Sequence, residues 1–253
     1  MTASGHDPAN GFTAATTDGN NQVTSAGSRR FRCARNGSPA RRHPDPEETL
    51  STPRQRLRSD GLVNVPAPLP PRPDLTDGVV LLRQPEIADI PAITRGASEP
   101  SVARYTTVPS PYSESDAQWF VDEVHATWQA GTAATFAVCD AQQPAALLGM
   151  VGLHNIDRAG DPGGTAEIGY WLSTPARGRG LMRRSVRVLS TWAIDELGLA
   201  RIDWIAAAGN TSSRNVVAHS GYQYEGFIRL GMMQRGQRID AWVGGLIAEE
   251  LIR

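Results

Sequence analysis

The chain contains no lysine: all 25 of its basic side chains are arginine. Genome base composition explains that more simply than chemistry does, yet it has a chemical consequence, because the protein offers no lysine amine of its own to acylate. Cysteine is nearly absent too. Cys33 and Cys139 lie far apart without metal-ligand spacing, which excludes a zinc knuckle or a disulfide framework and points to a reducing compartment. No apolar run approaches the length of a membrane span, and the N-terminal stretch lacks the apolar core of a signal peptide. A net charge of −1 gives no overall field that would argue for nucleic acid or a membrane. Gly-x-Ser-x-Gly, a Walker-type Gly-Lys-Ser/Thr, His-Glu-x-x-His and Cys-x-x-Cys are all missing. The expectation is a cytoplasmic protein with no membrane and no metal.

What is present divides into two regions. Residues 1–72 are rich in Gly, Ser, Thr, Asn, Pro and Arg, with too few large apolar residues to offset the ordering entropy. They read as a disordered tail ending in a stiff polyproline-like spacer over Val65–Pro73. The tail is an arm for RNA, DNA or a partner, or else a plain extension; the composition leaves both open. Residues 73–253 read as the folded domain, with order beginning near Gly78. Strands are expected at Val79–Arg83, Thr135–Cys139, Ala145–Ile156, Thr165–Leu172, Arg201–Ala207, Tyr222–Met232 and Arg238–Ala248. Helices are expected from Pro85 through Ile93, over Glu114–Gln129 behind Ser113 or Ser115, over Gly180–Leu197, and over Thr211–Ser220 behind Asn210. Such an order gives a mixed sheet with helices on its faces.

The stretch Gly169–Arg187 organises the rest. An apolar strand runs into a loop opened by Pro175, then a turn bracketed by Gly178 and Gly180, then a helix whose core face is Met182, Val186, Leu189, Ala193 and Leu197. The first turn of that helix presents unpaired N–H groups and the positive dipole end, and Arg177 and Arg179 flank it: an anion cradle. A dinucleotide fingerprint fits poorly, because Arg183 stands where its third glycine belongs. The five histidines form no cluster, and His154, on a strand, reads as structural.

Arg177-Gly-Arg-Gly-Leu-Met182 after a strand, then Asn210-Thr-Ser-Ser213 and Gly221-Tyr-x-Tyr-Glu-Gly226, together resemble the GNAT acyltransferase superfamily. Ile168-Gly-Tyr-Trp-Leu172, Val80-Leu-Leu-Arg83 and Asp240 resemble its RimJ/RimL-type branch. The resemblance covers residues 78–252 and implies an α/β fold of the α+β kind: a GNAT-like mixed, largely antiparallel twisted sheet with helices on both faces. It implies acetyl-CoA as acyl donor, with Arg177, Gly178, Arg179, Gly180, Leu181 and Met182 holding its pyrophosphate through backbone N–H groups. Met182 departs from the small residue the family has there. The resemblance also implies that the strand ending at Leu172 splays from its neighbour, that a backbone N–H near Leu172 polarises the thioester carbonyl, and that Asn210 and Ser213 lie beside the donor.

The transfer requires an amine that loses a proton, a stabilised oxyanion and a reprotonated thiolate. Glu167 is the candidate base, against the alternative of a solvated strand carboxylate. Ser213 is the candidate proton donor to the thiolate, against a simple helix-backbone bond. Leu230-Gly-Met-Met233 stands where some RimL-like members carry a glutamate, and Asp240 either shapes the acceptor site or anchors a hairpin. The expected activity is N-acetylation of a primary amine on a protein N-terminus, a lysine or a small molecule. A non-catalytic acyl-CoA-binding regulatory module is the alternative. No nucleic-acid partner is expected, and a homodimer is left open.

Overall fold

The computed structural model describes residues 68–158 and 163–252. Residues 1–67, 159–162 and 253 therefore lie outside the described residues, and with them the expected disordered tail through residue 67. The strands are β1 (Leu75–Thr76), β2 (Val80–Arg83), β3 (Ala134–Asp140), β4 (Gln143–Asp157), β5 (Gly164–Leu172), β6 (Leu199–Ala207), β7 (Gln223–Gln234) and β8 (Gln237–Ile247). They form one sheet in the order β1-β2-β3-β4-β5-β6-β8-β7. Every pairing is antiparallel except β5 with β6. That parallel pair is bridged by a helical crossover, as geometry demands.

The helices are α1 (Ile90–Ala97), α2 (Pro100–Tyr105), α3 (Glu114–Ala130), α4 (Leu181–Leu197) and α5 (Thr211–Ala218). α4 lays Met182, Val186, Leu189, Ala193 and Leu197 on one face of the sheet, against Ile168, Ile202 and Trp204. The other face is covered by Ile90, Ile93, Ala117 and Val121 of α1 and α3 and by Val102 of α2, which packs with Met150 and Trp171. Ser113 caps α3 in a reciprocal box with Asp116.

Four features were not foreseen, the first being β1, which lies ahead of the expected start of order near Gly78. α2 has no apolar period of its own to announce it, and the expected first helix is instead a short 3-10 turn at Ile87–Asp89 followed by α1. The proline-rich stretch read as a spacer is docked on the domain over its last residues. Leu69 is buried in the core, Trp128 Nε1 donates to Pro70 O at 3.1 Å, and the Arg72 guanidinium lies 4.1 Å from the Trp128 ring centroid. Arg72 Nη2 also donates to Val124 O at 3.1 Å and Arg158 Nη2 to Pro68 O at 3.0 Å, so these contacts together hold a segment whose backbone the prolines have already restricted.

Candidate functional site

β5 and β6 part company in mid-sheet. They pair from Gly164–Leu199 to Glu167–Asp203, and then both run on, to Leu172 and Ala207, without pairing further. β6 stays zipped to β8 as far as Ala207–Ala241, and β5 to β4 as far as Leu172–Gly149. The gap therefore opens between β5 and β6 alone. On the β4 side, Ser173 N donates to Leu148 O at 2.9 Å, one step beyond the Gly149–Leu172 pair. Antiparallel alternation then makes Gly149–Leu172 and Val151–Tyr170 non-hydrogen-bonded pairs, whose N–H and C=O groups point away from β4. The N–H groups of Tyr170 and Leu172 thus face the gap. Arg177 corroborates that direction, since its Nε and Nη2 reach Leu172 O at 2.9 and 2.7 Å.

The N-terminus of α4 stands beside the gap. Gly178 and Gly180 have φ of 75° and 74°, a region that costs any residue with a Cβ about 1 kcal/mol or more. Gly180 is the N-cap and offers no side-chain acceptor, and the first turn holds no acidic residue. Its N–H groups are left for a ligand. Leu181 and Met182 turn their side chains into the core, so the extra bulk of Met182 is absorbed below the turn, and both residues border the cavity.

The arginines differ from the cradle read in the sequence. Arg177 spends its guanidinium on Leu172 O, on Ser101 Oγ at 2.9 Å and on Glu99 at 3.0 Å. Glu99 also accepts from Thr174 N and Oγ1, so Arg177 fastens the turn to the strand end and to α2. Arg179 pairs with Asp140 at 3.1 Å. The arginine that lines the cavity with no side-chain partner among the described residues is Arg183, the residue noted only for spoiling a dinucleotide fingerprint.

One cavity of about 910 Å³ runs from the α4 turn through the gap to the opposite face of the sheet. On the α4 side it is lined by Asn210, Ser213, Asn215 and His219. Asn210 Oδ1 caps α5 by accepting from Ser213 N at 3.1 Å. Ser213 Oγ takes the Trp204 indole N–H at 3.0 Å and lies 2.9 Å from the Tyr170 hydroxyl, which donates to Ser213 O at 3.0 Å. Trp204 was not singled out in the sequence, and Tyr170 was noted there only as part of the Ile168–Leu172 motif.

On the far side the lining is Tyr105, Thr106, Thr107, His154, Glu167, Met232 and Met233. Burial, helped by the nearby Asp203 carboxylate, pushes Glu167 up to about 7. Burial holds His154 down to about 4, so its imidazole is neutral. Glu167 and Ser213, far apart in sequence, therefore line the same cavity from opposite sides of the sheet. The hairpin joining β7 and β8 roofs this half. Gln234 Nε2 donates to Arg104 O and Thr106 O, both at 2.9 Å, and Arg235 Nη2 donates to Ala103 O. Asp240 anchors the hairpin: its carboxylate accepts from Leu230 N at 2.9 Å, at the bulge where β7 is irregular. Among the described residues no cluster of His, Cys, Asp and Glu could hold a metal ion, and no helix is long and apolar enough to cross a membrane.

The mixed sheet is thus split between its two parallel strands, with a glycine turn and a helix N-terminus at the split. The family model described as acetyltransferase (GNAT) domain matches residues 80–223, more than half of the chain, and the chain belongs to that family. It is similar to "Putative ribosomal N-acetyltransferase YdaF" of Bacillus subtilis (strain 168), 38% identical over 104 residues, which cover 41% of this chain and 55% of that protein. The match thus spans about half the length of that relative. It is also similar to "Uncharacterized N-acetyltransferase p20" of Bacillus licheniformis, 26% identical over 67% of this chain and 93% of the relative. Among solved structures, Mycobacterium smegmatis RimJ in complex with CoA-disulfide superposes with a TM-score of 0.62 at 21% identity, covering 71% of this chain and 87% of RimJ.

Proposed function

We propose that the protein is an acetyl-CoA-dependent N-acetyltransferase whose acceptor is a primary amine on a protein N-terminus, a lysine side chain or a small molecule. The observation that carries this reading is the continuity of one cavity from the free N–H groups of α4, through the gap, to Glu167. The donor pyrophosphate sits on the backbone of Gly178–Met182, with Arg183 as added charge. The pantetheine chain extends along β5 in place of the missing strand and bonds to the N–H groups that β6 does not reach. The Leu172 N–H then faces the thioester carbonyl oxygen. Asn210 contributes an amide from the α5 cap. A cytoplasmic setting follows from this donor and is part of the proposal.

The acceptor enters from the far side, beneath the Gln234–Arg235 bridge. Glu167 takes a proton from its ammonium group, directly or through water. The free amine adds to the thioester carbon, and the developing oxyanion is met by the Leu172 N–H. As the carbon–sulfur bond breaks, Ser213 gives the departing thiolate a proton, and the proton that the new amide nitrogen sheds returns through water to the serine oxygen, leaving a neutral amide and a free thiol. The indole N–H that Oγ already accepts makes that hydroxyl a better donor. His154, neutral at working pH, adds no positive charge to repel an ammonium. Met232 and Met233 give the acceptor channel soft apolar walls that adapt to varied chains.

The test is thiol release from acetyl-CoA by the full chain against a panel of N-terminal peptides, lysine peptides, polyamines and aryl-alkyl amines. Turnover with at least one class, rising through pH 7, is the expected result. Thiol release that no amine accelerates would overturn the reading.

A further inference from the structure

Three side chains stand in a row across the root of the gap. His154 on β4 is the register partner of Glu167 on β5, and Glu167 is the register partner of Asp203 on β6. Register partners on adjacent strands share a face of the sheet. The Glu167 carboxyl therefore has a second carboxylate on one flank and an imidazole on the other. Asp203 is pinned: it accepts from Arg201 Nε at 2.6 Å, and the same guanidinium is bidentate to Glu225 at 2.8 and 2.6 Å.

We propose that Asp203, anchored by Arg201, is a positioning residue that keeps the Glu167 carboxyl ready to take a proton from the acceptor amine. The proposal rests on the reading of Glu167 as the base. A carboxylate in register with another disfavours a second negative charge beside it, which adds to the effect of burial. Burial is the larger cause and the Asp203 charge the smaller, and together they bring Glu167 to about 7. The other groups around Glu167 do not supply this effect. His154 is neutral, and Asp157 lies further along β4, beside Thr165. From α2 and its following loop come only the Tyr105 phenol and the Thr106 and Thr107 hydroxyls, and from β7 the Met232 and Met233 thioethers. Glu225 of β7 is matched by Arg201. Arg201 in turn moderates Asp203, because its charge offsets part of the repulsion.

Removal of Asp203 and removal of Arg201 therefore act in opposite directions, which damage to the fold would not do. The experiment is carbon-13 NMR titration of the glutamate carboxyls in the full chain, with Glu167 assigned by E167Q, alongside the pH profile of kcat/KM for an accepted amine. In the unaltered protein the Glu167 midpoint falls near 7. D203N moves it down by about one pH unit. R201Q moves it up, and D203E leaves it in place. The acid limb of kcat/KM moves with it. An unmoved Glu167 midpoint in D203N would overturn the proposal, and R201Q supplies the same test should D203N fail to fold. A midpoint that moves while the rate limb stays still would uphold the coupling and remove Glu167 as the base, so the two failures are separable.

Discussion

The two halves of the cavity are built from different materials. The donor half is chiefly backbone: the N–H groups of Tyr170 and Leu172 on a strand without its neighbour, and those at the start of α4 behind Gly178 and Gly180, with the Arg183 and Asn210 side chains beside them. The acceptor half is side chain, drawn from β4, β5, the segment after α2 and the β7–β8 hairpin. Backbone binding needs only the right path of the chain, so many sequences can hold one donor. Side-chain binding depends on which residues meet, so the acceptor half is where relatives of one fold can differ in substrate.

The largest effect that would separate the halves comes from E167Q. If Glu167 is the base, kcat falls by about 10²–10⁴-fold, while acetyl-CoA affinity, measured by calorimetry, stays the same. S213A tests the opposite wall and lowers kcat by about a hundredfold, again with donor affinity nearly intact. Equal losses of donor affinity in both variants would erase the distinction drawn here.

The same glutamine has a stability effect with a definite sign. Glu167 has its folded value raised, to about 7 from the ordinary 4.5, so the folded state favours the neutral acid. The charged form is therefore a cost to folding above pH 7. E167Q removes that cost and stabilises by about 3 kcal/mol at most above pH 7, less as pH falls, and by nothing below pH 4.5. Chemical denaturation at pH 8 and pH 4 measures the difference.

G180A attacks the donor half alone. At φ of 74° the added Cβ costs about 1 kcal/mol and shifts the turn, so acetyl-CoA binding weakens by about tenfold. At saturating donor, kcat should survive. Y170F is the smallest change: loss of one hydroxyl at Ser213 Oγ lowers kcat by about twofold to tenfold.

The same contrast explains what the sequence made legible. The strand–turn–helix at Gly169–Arg187 is local, its glycines mark positive φ, and its apolar period marks the buried face of α4. The helix cap at Asn210 and the stop at Gly198 are equally local signals. The charge partners were not legible. Arg177 reads as a phosphate ligand until Glu99, 78 residues earlier, is seen to claim it. Arg183 gave no sign of standing free. Asp203 meets Glu167 only through the register of two parallel strands, and Gln234 meets Arg104 across 130 residues. No periodicity encodes such meetings. The docked Pro68–Pro73 segment escaped notice for a related reason: proline-rich composition signals extension, while its anchoring depends on Trp128, 58 residues from Pro70.

The most direct test of the backbone-built donor site is thermal unfolding of the full chain with and without acetyl-CoA, with NADH as control. A ligand at about a hundred times its dissociation constant adds roughly 2.7 kcal/mol to native stability, on the order of 5–10 °C in midpoint for a domain of this size. The account predicts that rise with acetyl-CoA and none with NADH. A folded protein whose midpoint does not move with acetyl-CoA would contradict it.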